Sequence, residues 1–275
     1  MIKKKNKKEL ISVLMPAYDA GNFIGEAIES ILAQSYNNFE LIIIDDASKD
    51  NTWEIMCKYV KKDKRIKAHR NKKRLGISLN RNKLLTLSKG SYVAWQDADD
   101  VSINTRLEKQ LNELKNNPKL GIIGGYLELF NEDGSRICIR KYPKENKELV
   151  KKIFFYSPVS QGASMLRKEV FKKTGVYDKK LNQAEDLDMS FRVAKYYQLS
   201  NLQEVVLKCR YHVKSTSTKQ MKQNIKNTLW VRNNAVNKYG YSMNPIDKLV
   251  YFLTWITQFL SPRITFYLFN IFRNI

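Results

Sequence analysis

The sequence has few cysteines and too few acidic residues to balance its basic ones. Its three cysteines, Cys57, Cys138 and Cys209, lie far apart and form no CxxC pair, so the sequence indicates neither a zinc knuckle nor a disulfide framework. A reducing cytoplasm suits such cysteine usage. The 275 residues include 49 Lys and Arg but only 27 Asp and Glu, a formal net charge of +22. This balance favours anionic partners such as phosphates, nucleic acid or an anionic membrane surface.

The N-terminal residues contain no secretory apolar core. Residues 1–8 are basic and lead directly into a strand-like run, without a small-residue cleavage site. We therefore expect a protein that stays inside the cell. No nucleic-acid-binding motif accompanies the positive charge, and the acidic clusters described next would repel a phosphate backbone unless a metal ion fills them. We therefore expect no nucleic-acid partner.

One stretch carries three carboxylates within four positions, Asp97, Asp99 and Asp100. It follows an apolar, strand-like segment at 91–94 and precedes a helical pattern over 105–111. Because buried carboxylates repel each other, such a cluster is costly unless a cation neutralises it. Carboxylates favour hard ions such as Mg²⁺ or Mn²⁺, and in an extended segment Asp97 and Asp99 point to the same side. The alternative is an exposed acidic turn that caps the following helix.

The first hundred residues alternate between strand and helix patterns. Apolar runs at 10–15, 39–44 and 92–96 and a shorter one at 66–68 predict strands, and apolar residues at helical spacing over 23–34, 52–61 and 76–87 predict helices. This alternation predicts an α/β fold with a mainly parallel, doubly wound sheet. Ligands bind such sheets at the carboxyl ends of the strands. Because Asp46 and the 97–100 cluster both fall at strand ends, their position favours the binding interpretation over the acidic turn.

The second half of the chain has a less regular pattern. We predict a hairpin over 120–142, a strand ending near residue 166, a short helix at 170–174, a helix from about 183 to 197 and a strand at 201–208. No internal repeat is visible.

Beyond residue 216 the composition changes. Between Val205 and the C-terminus the only acid is Asp247. The segment 220–238 has a helical pattern, and the apolar, aromatic segments 249–259 and 264–272 are separated by Arg263 and its neighbours. Neither segment reaches the roughly 20 residues that span a bilayer, and a central Arg would cost about 3 kcal/mol on insertion. We favour an interfacial amphipathic pair over a membrane-spanning one; helices packed on the protein itself or on a partner are the third possibility.

Six ordered motifs between about residues 10 and 217 resemble family 2 glycosyltransferases. They occupy 12–18 with 30–35, 40–50, 81–82 with 89–92, 97–100, 185–186 at the head of a helix, and 210–212. The resemblance implies a GT-A fold for residues 1–217, and it leaves 218–275 as a basic, aromatic helical tail that we expect to associate with the membrane. It also implies inverting transfer from a UDP-sugar, assisted by a divalent metal, Mn²⁺ or Mg²⁺.

The resemblance also implies roles for individual residues. Asp99 and His212 would bind the metal, Asp186 would act as the general base, and Glu185 would position the sugar or the acceptor. The donor nucleotide would contact Pro16, Ala17, Tyr18, Asp46, Gly76, Arg81 and Asp97. The resemblance leaves the role of Asp100 undecided.

Each of these roles has a simpler alternative. Asp186 is also a helix-capping acid by its position, and Arg81 could be an exposed helix arginine. Gly76 could serve a simple turn and His212 a structural purpose. His69, in the basic run 58–74, is expected at the surface.

The predicted activity is that of a hexosyl- or N-acetylhexosaminyltransferase. The acceptor would be a lipid-linked or surface glycan in polysaccharide or lipopolysaccharide assembly, and the enzyme would lie on the cytoplasmic face of the inner membrane as a peripheral protein. The alternatives are a nucleotidyltransferase or a sugar-nucleotide-binding protein of similar fold, and a basic nucleic-acid-binding protein. Residues 15–19 stand where a nucleotidyltransferase would carry a glycine-rich phosphate loop, which disfavours that class.

Overall fold

A computed structural model describes residues 9–211 and 221–260 of the chain. Within these ranges nine strands form one sheet in the order β3-β2-β1-β4-β8-β6-β9-β5, with β7 paired to β6. The strands are β1 Ile11–Ala17, β2 Phe39–Asp45, β3 Ile66–Arg70, β4 Tyr92–Trp95, β5 Val101–Ser102, β6 Leu120–Asn131, β7 Arg136–Arg140, β8 Met165–Arg167 and β9 Gln198–Tyr211.

Helices connect these strands, and two further helices follow the last described strand. They are α1 Ile24–Leu32, α2 Thr52–Lys62, α3 Ile77–Leu87, α4 Arg106–Asn116, α5 Asn146–Lys151, α6 Val170–Thr174, α7 Glu185–Ala194, α8 Met221–Tyr239 and α9 Pro245–Thr257. A 3-10 helix, Gln161–Ala163, precedes β8.

The first four strands pair in parallel, as the alternating pattern predicts. β1 lies between β2 and β4, and β2 pairs with β3. Every residue of β2 is buried, which fits a strand covered on both faces. The other strands give a mixed arrangement, because β8 runs antiparallel to both β4 and β6 while β6 and β9 are parallel. The predicted hairpin is β6 and β7, and β6 is a single strand through both of its apolar runs.

Helices cover both faces of the sheet. On one face α1, α2 and α4 bury apolar side chains such as Ile28, Met56 and Leu111 against the strands. On the other, α3, α6 and α7 do so with Leu84, Val170 and Met189. Each fully buried side chain of this size contributes roughly 1.5–3 kcal/mol. The two layers hold the carboxyl ends of β1, β2 and β4 side by side at one edge.

The described part of the chain ends in two helices outside the sheet. α8 packs on α7 and the preceding loop through Phe191, Val231 and Ala235, and α9 begins at an Asn244–Asp247 capping box. No helix within residues 9–211 and 221–260 combines the length and apolar character needed to cross a bilayer. The apolar segment 264–272 and the domain boundary predicted near residue 217 lie outside the described residues.

Candidate active site

The ends of β1 and β2 form one side of the site. Pro16 and Ala17 are the last residues of β1, and the N–H of Asp46 donates to the carbonyl of Ala17 at 2.8 Å. Tyr18 follows, and the guanidinium of Arg74 lies 3.9 Å from the centre of its ring. The predicted nucleotide-binding residues of β1 therefore adjoin Asp46.

Asp46 organises the loop that leads into α3. Its carboxylate is buried and accepts hydrogen bonds from Asn71 Nδ2 and from the N–H groups of Leu75 and Gly76, at 2.8–2.9 Å. Gly76 has φ +89, and a Cβ there would overlap the Asn182 side chain. Glycine is therefore required at this turn, and the predicted nucleotide contacts Asp46 and Gly76 lie together.

Asp45, the neighbour of Asp46, has a different environment. Its fully buried carboxylate accepts from the N–H of Ser48 and pairs with Arg70 Nε at 3.0 Å. Asp45 therefore fastens β2 to β3 and to the start of the following loop.

The 97–100 turn follows β4, as predicted, and the structure separates its three carboxylates. The carboxylate of Asp100 is buried and accepts the N–H of Arg210 on β9 at 2.9 Å. Asp97 and Asp99 are only partly buried, and 39% of the Asp97 side chain is exposed. Asp100 therefore anchors the turn to β9, while Asp97 can meet a ligand.

The buried side chain of Arg106 holds the residues on either side of this turn. Arg106 is 1% exposed and donates to the carbonyl of Trp95 at 2.6 Å and to Ser102 Oγ at 2.8 Å. It also bonds to the side chains of Gln96 and Gln110. Burial lowers the pKa of Arg106 to about 10, although Asp97 and Asp100 oppose the shift. Arg106 is not among the residues predicted from the sequence; its spacing of four residues from both Ser102 and Gln110 is the local signal for these contacts.

Arg81 links the acidic turn to α7. Its guanidinium lies 2.7 Å from Glu185 Oε1 and 4.0 Å from Asp97 Oδ1, and its side chain is only 5% exposed. The rings of Trp95 and Tyr177 lie within 5.6 Å of the same group. The alternative of an exposed helix arginine is therefore wrong, and Arg81 brings together three predicted site residues from α3, the β4 end and α7.

The first turn of α7 holds two adjacent acids in different environments. Glu185 is 7% exposed and tied to Arg81. Burial raises the pKa of Glu185; Arg81 counteracts this, and Asp186 adds to it. Asp186 is only half-buried, and its carboxylate accepts the N–H of Leu187 at 2.8 Å. Ala184, just before them, has a left-handed backbone with φ 60.

Gly162 lies directly against Asp97. A Cβ at this glycine would overlap Asp97 Oδ2 and come within 3.0 Å of its Cγ. The 3-10 helix that carries Gly162 is held from behind, because Gln110 Nε2 donates to the carbonyl of Ala163 at 2.7 Å. Gly162 is therefore the residue of this loop that leaves space for the Asp97 carboxylate.

The electrostatics of the acidic turn suit a divalent cation. Partial burial raises the pKa of Asp97; Arg81 counteracts this, and Asp99 adds to it. Burial, Asp99 and Asp97 together raise the pKa of Asp100 well above its usual value. A bound cation would relieve this repulsion. Within the described ranges no three His, Cys, Asp or Glu side chains converge on one point. Mg²⁺ is commonly bound through one or two carboxylates together with oxygens from phosphates or water, and Asp97 and Asp99 are the partly buried carboxylates of this turn that would hold such an ion.

The sequence contains two histidines, His69 and His212. His212, predicted as a metal ligand, lies outside the described residues. His69 is on β3 and partly buried, and burial together with Lys83 and Lys67 lowers its pKa. Its expected surface position is therefore only partly realised.

The fold matches solved glycosyltransferase structures. S. aureus TarS in complex with UDP-GlcNAc superimposes with a TM-score of 0.62 at 19% identity, over 82% of this chain and 66% of that one. The mannosyltransferase PcManGT from Pyrobaculum calidifontis, in complex with GDP-Man and Mn²⁺, does so with a TM-score of 0.65 at 14% identity, over 97% and 74%. The protein therefore has the GT-A fold, as predicted.

The sequence comparison gives the family. Residues 12–175 match the model of Glycosyl transferase family 2. Uncharacterized glycosyltransferases of Methanocaldococcus jannaschii and Haemophilus influenzae are 34% and 33% identical, over 74% and 76% of this chain and 71% and 68% of their own lengths. The chain belongs to glycosyltransferase family 2 and is an enzyme of that class, which confirms the resemblance found in the sequence.

Proposed function

We propose that the enzyme transfers a sugar from a UDP-sugar, with inversion, to a hydroxyl group of a lipid-linked or surface glycan. The observation that carries this proposal is the position of Arg81 between Asp97 and Glu185. Arg81 holds the 97–100 turn and the first turn of α7 close together. Donor and acceptor can then meet between these two elements.

Asp186 is the base in this proposal. An inverting transfer needs one group that accepts the acceptor's hydroxyl proton. The Glu185 carboxylate is engaged with Arg81 and almost fully buried, which makes it a poor partner for an incoming hydroxyl. Asp186 is more exposed at the same helix terminus. Glu185 then holds Arg81 and, through it, positions Asp97.

The chemical step is a single displacement. The acceptor oxygen forms a bond to the anomeric carbon, opposite the nucleotide, while its proton passes to the Asp186 carboxylate. The bond between the anomeric carbon and the diphosphate oxygen breaks, and the diphosphate keeps the electron pair. A divalent ion held by Asp99 and Asp97 would supply charge neutralisation for that leaving group.

Residues at the β1 and β2 ends would hold the nucleotide. Among the described residues only Gly76 donates to Asp46 Oδ2, so this oxygen retains a lone pair for a base N–H such as N3–H of uracil. Pro16, Ala17 and Tyr18 would line the other side. TarS and PcManGT were solved with nucleotide sugars of different bases, so a donor screen should include both UDP- and GDP-sugars.

A donor-release assay tests the proposal. Purified enzyme is incubated with a panel of UDP- and GDP-sugars, a lipid-linked acceptor extract, and Mn²⁺ or EDTA, and released nucleotide and product mass are recorded. We expect UDP release that EDTA abolishes. Asp99→Asn and Asp186→Asn should each lower turnover by at least about 100-fold.

The matched control is Asp133→Asn, in the exposed β6–β7 turn, which should retain full turnover. Unchanged turnover in Asp186→Asn would remove its assignment as the base. Turnover that persists in EDTA would remove the metal from the proposal. Release from GDP-sugars alone would replace the proposed donor.

A further inference from the structure

Helix α9 turns an apolar, aromatic face toward solvent. Five of its large side chains, or those just after it, are 45–70% exposed: Ile246, Leu249, Phe252, Trp255 and Phe259. The spacing of three or four residues puts most of them along one side of the helix. Phe252 stacks on Trp255 with ring centres 6.0 Å apart, and Trp255 meets Phe259 edge-on at 5.1 Å. We refer to these five residues as the aromatic face.

The polar side of α9 faces the protein instead. Asp247, Thr254 and Thr257 are 4–7% exposed. The buried Arg232 of α8 donates to Thr254 Oγ1 at 2.8 Å. A surface helix of a soluble protein normally buries its apolar stripe and exposes its polar one. α9 has the reverse orientation, so its aromatic face is suited to contact with another apolar phase.

The charge around α9 has a single sign. Asp247 is the only acid after Glu204, and it is buried. Exposed lysines are distributed over α8 and α9: Lys222, Lys226, Lys238 and Lys248. An apolar face on a helix pair whose exposed charged side chains are lysines complements an anionic surface with an apolar interior.

The chain continues beyond α9 with the same composition. Residues 261–275 contain Arg263 and Arg273 as the only charged side chains, with seven large apolar or aromatic residues between them: Ile264, Phe266, Tyr267, Leu268, Phe269, Ile271 and Phe272. This segment begins two residues after Phe259, the last residue of the aromatic face. The apolar and cationic composition of the chain therefore continues past the aromatic face.

We propose that the aromatic face of α9 docks the enzyme on the interface of an anionic lipid membrane. Phe and Trp would enter the boundary between headgroups and acyl chains, with the helix in the membrane plane, and the lysines would contact anionic headgroups. α9 is joined to the proposed active site through α8, because Asn227 Nδ2 donates to the carbonyl of Gln183 and Tyr239 OH to Asp188 Oδ1. Docking would thus fix the orientation of α7 relative to the lipid surface.

Vesicle co-sedimentation of the full chain tests the proposal. Vesicles of phosphatidylcholine alone are compared with vesicles that also contain phosphatidylglycerol. We expect binding to the anionic vesicles, and the double variant Phe252→Glu/Trp255→Glu should weaken it by at least about tenfold. Nucleotide release with a soluble acceptor should be unchanged, because neither residue belongs to the proposed active site. Failure of membrane docking can thus be distinguished from failure of the catalytic proposal.

A control variant exists on another surface. Val176 and Tyr196 are 52% and 49% exposed, so Val176→Glu/Tyr196→Glu removes comparable apolar surface and adds the same charge, and it should bind as the wild type does. Equal binding by the α9 variant and the wild type would overturn the proposal. So would wild-type protein that binds neither vesicle and forms a dimer that the α9 variant dissociates, because a second copy would then cover the face. Binding that appears only after residues 261–275 are deleted would show that the chain's own end covers it.

Discussion

The guanidinium of Arg81 and the carboxylate of Glu185 form a buried ion pair at 2.7 Å. Arg81→Met would leave the Glu185 charge without its partner, and breaking a buried pair in this way costs about 3–5 kcal/mol. We expect a loss of that size in the free energy of unfolding, measured by urea denaturation, together with loss of nucleotide release.

The double variant Arg81→Met/Glu185→Leu separates the two effects. Apolar residues in place of both partners leave no unpaired charge, so stability should recover. Activity should stay low because Asp97 has lost the neighbouring guanidinium of Arg81. Recovery of activity along with stability would show that the pair is structural only.

Gly162 and Asp97 provide a test that leaves charge unchanged. A Cβ at residue 162 would overlap the Asp97 carboxylate, so Gly162→Ala must displace the carboxylate or the 3-10 helix. A displacement near 1 Å at a reacting centre can cost roughly 100-fold in rate. We expect kcat/KM to fall by about that factor, with little change in Tm.

Gly25→Ala in α1 is the matched control. A Cβ there meets the Tyr59 hydroxyl at an ordinary 3.6 Å, so activity should be unaffected. If Gly162→Ala retains wild-type kcat/KM, the close fit to Asp97 has no part in catalysis.

The sequence predicted the strands and helices of the first half well because their apolar periods are local. β1, α2 and β4 begin and end within a few residues of the predicted bounds. Because the carboxyl ends of parallel strands share one edge of a sheet, this also predicted that Asp46 and Asp97 lie at the same side of the fold.

The supporting contacts were not predictable in the same way. Arg106 lies in a helical pattern where a charged residue is ordinarily expected in solvent. Its acceptors include the carbonyls of Trp95 and Ser164, and the latter is distant in the sequence. The contact of Gly162 with Asp97 likewise depends on topology, because Asp97 follows β4, Gly162 precedes β8, and these two strands pair antiparallel. The alternation of helices and strands did not specify that pairing. Such contacts depend on how the sheet is assembled and not on local periodicity.

Glu40 gives the protein a pH-dependent contribution to stability. Burial alone would raise the pKa of Glu40, but hydrogen bonds from Lys67, Ser12 and the N–H of Lys89 lower it below its ordinary value of 4.5. A lowered folded-state pKa means that the contribution is fully present above pH 4.5 and is lost as the pH falls through the lower value. Glu40→Gln should therefore reduce the free energy of unfolding by about 1.5–3 kcal/mol at pH 7.

The difference between wild type and Glu40→Gln should shrink in urea titrations below pH 4.5. Lys67→Met removes one of the hydrogen-bond donors to Glu40. The free energy of unfolding of this variant should depend less steeply on pH over the same range than that of the wild type. A difference that stays constant from neutral to acid pH would contradict this account of Glu40.

Arg210 fixes the backbone that carries Asp99. Its Nε donates to the Asp99 carbonyl at 3.2 Å, and its guanidinium lies 4.5 Å from the Phe130 ring and pairs with Glu26. Arg210→Lys keeps the charge but loses the planar donors and the stacking, so the turn should hold its ligand-binding geometry for less of the time. The apparent affinity for Mn²⁺ falls with the fraction of molecules whose turn has the binding geometry. We therefore expect half-maximal activity to require about tenfold more Mn²⁺. Arg65→Lys is the matched control, because Arg65 also stacks on a phenylalanine and pairs with a neighbouring acid, far from the acidic turn. An equal change in the Mn²⁺ requirement of both variants would show that the effect is not local to Asp99.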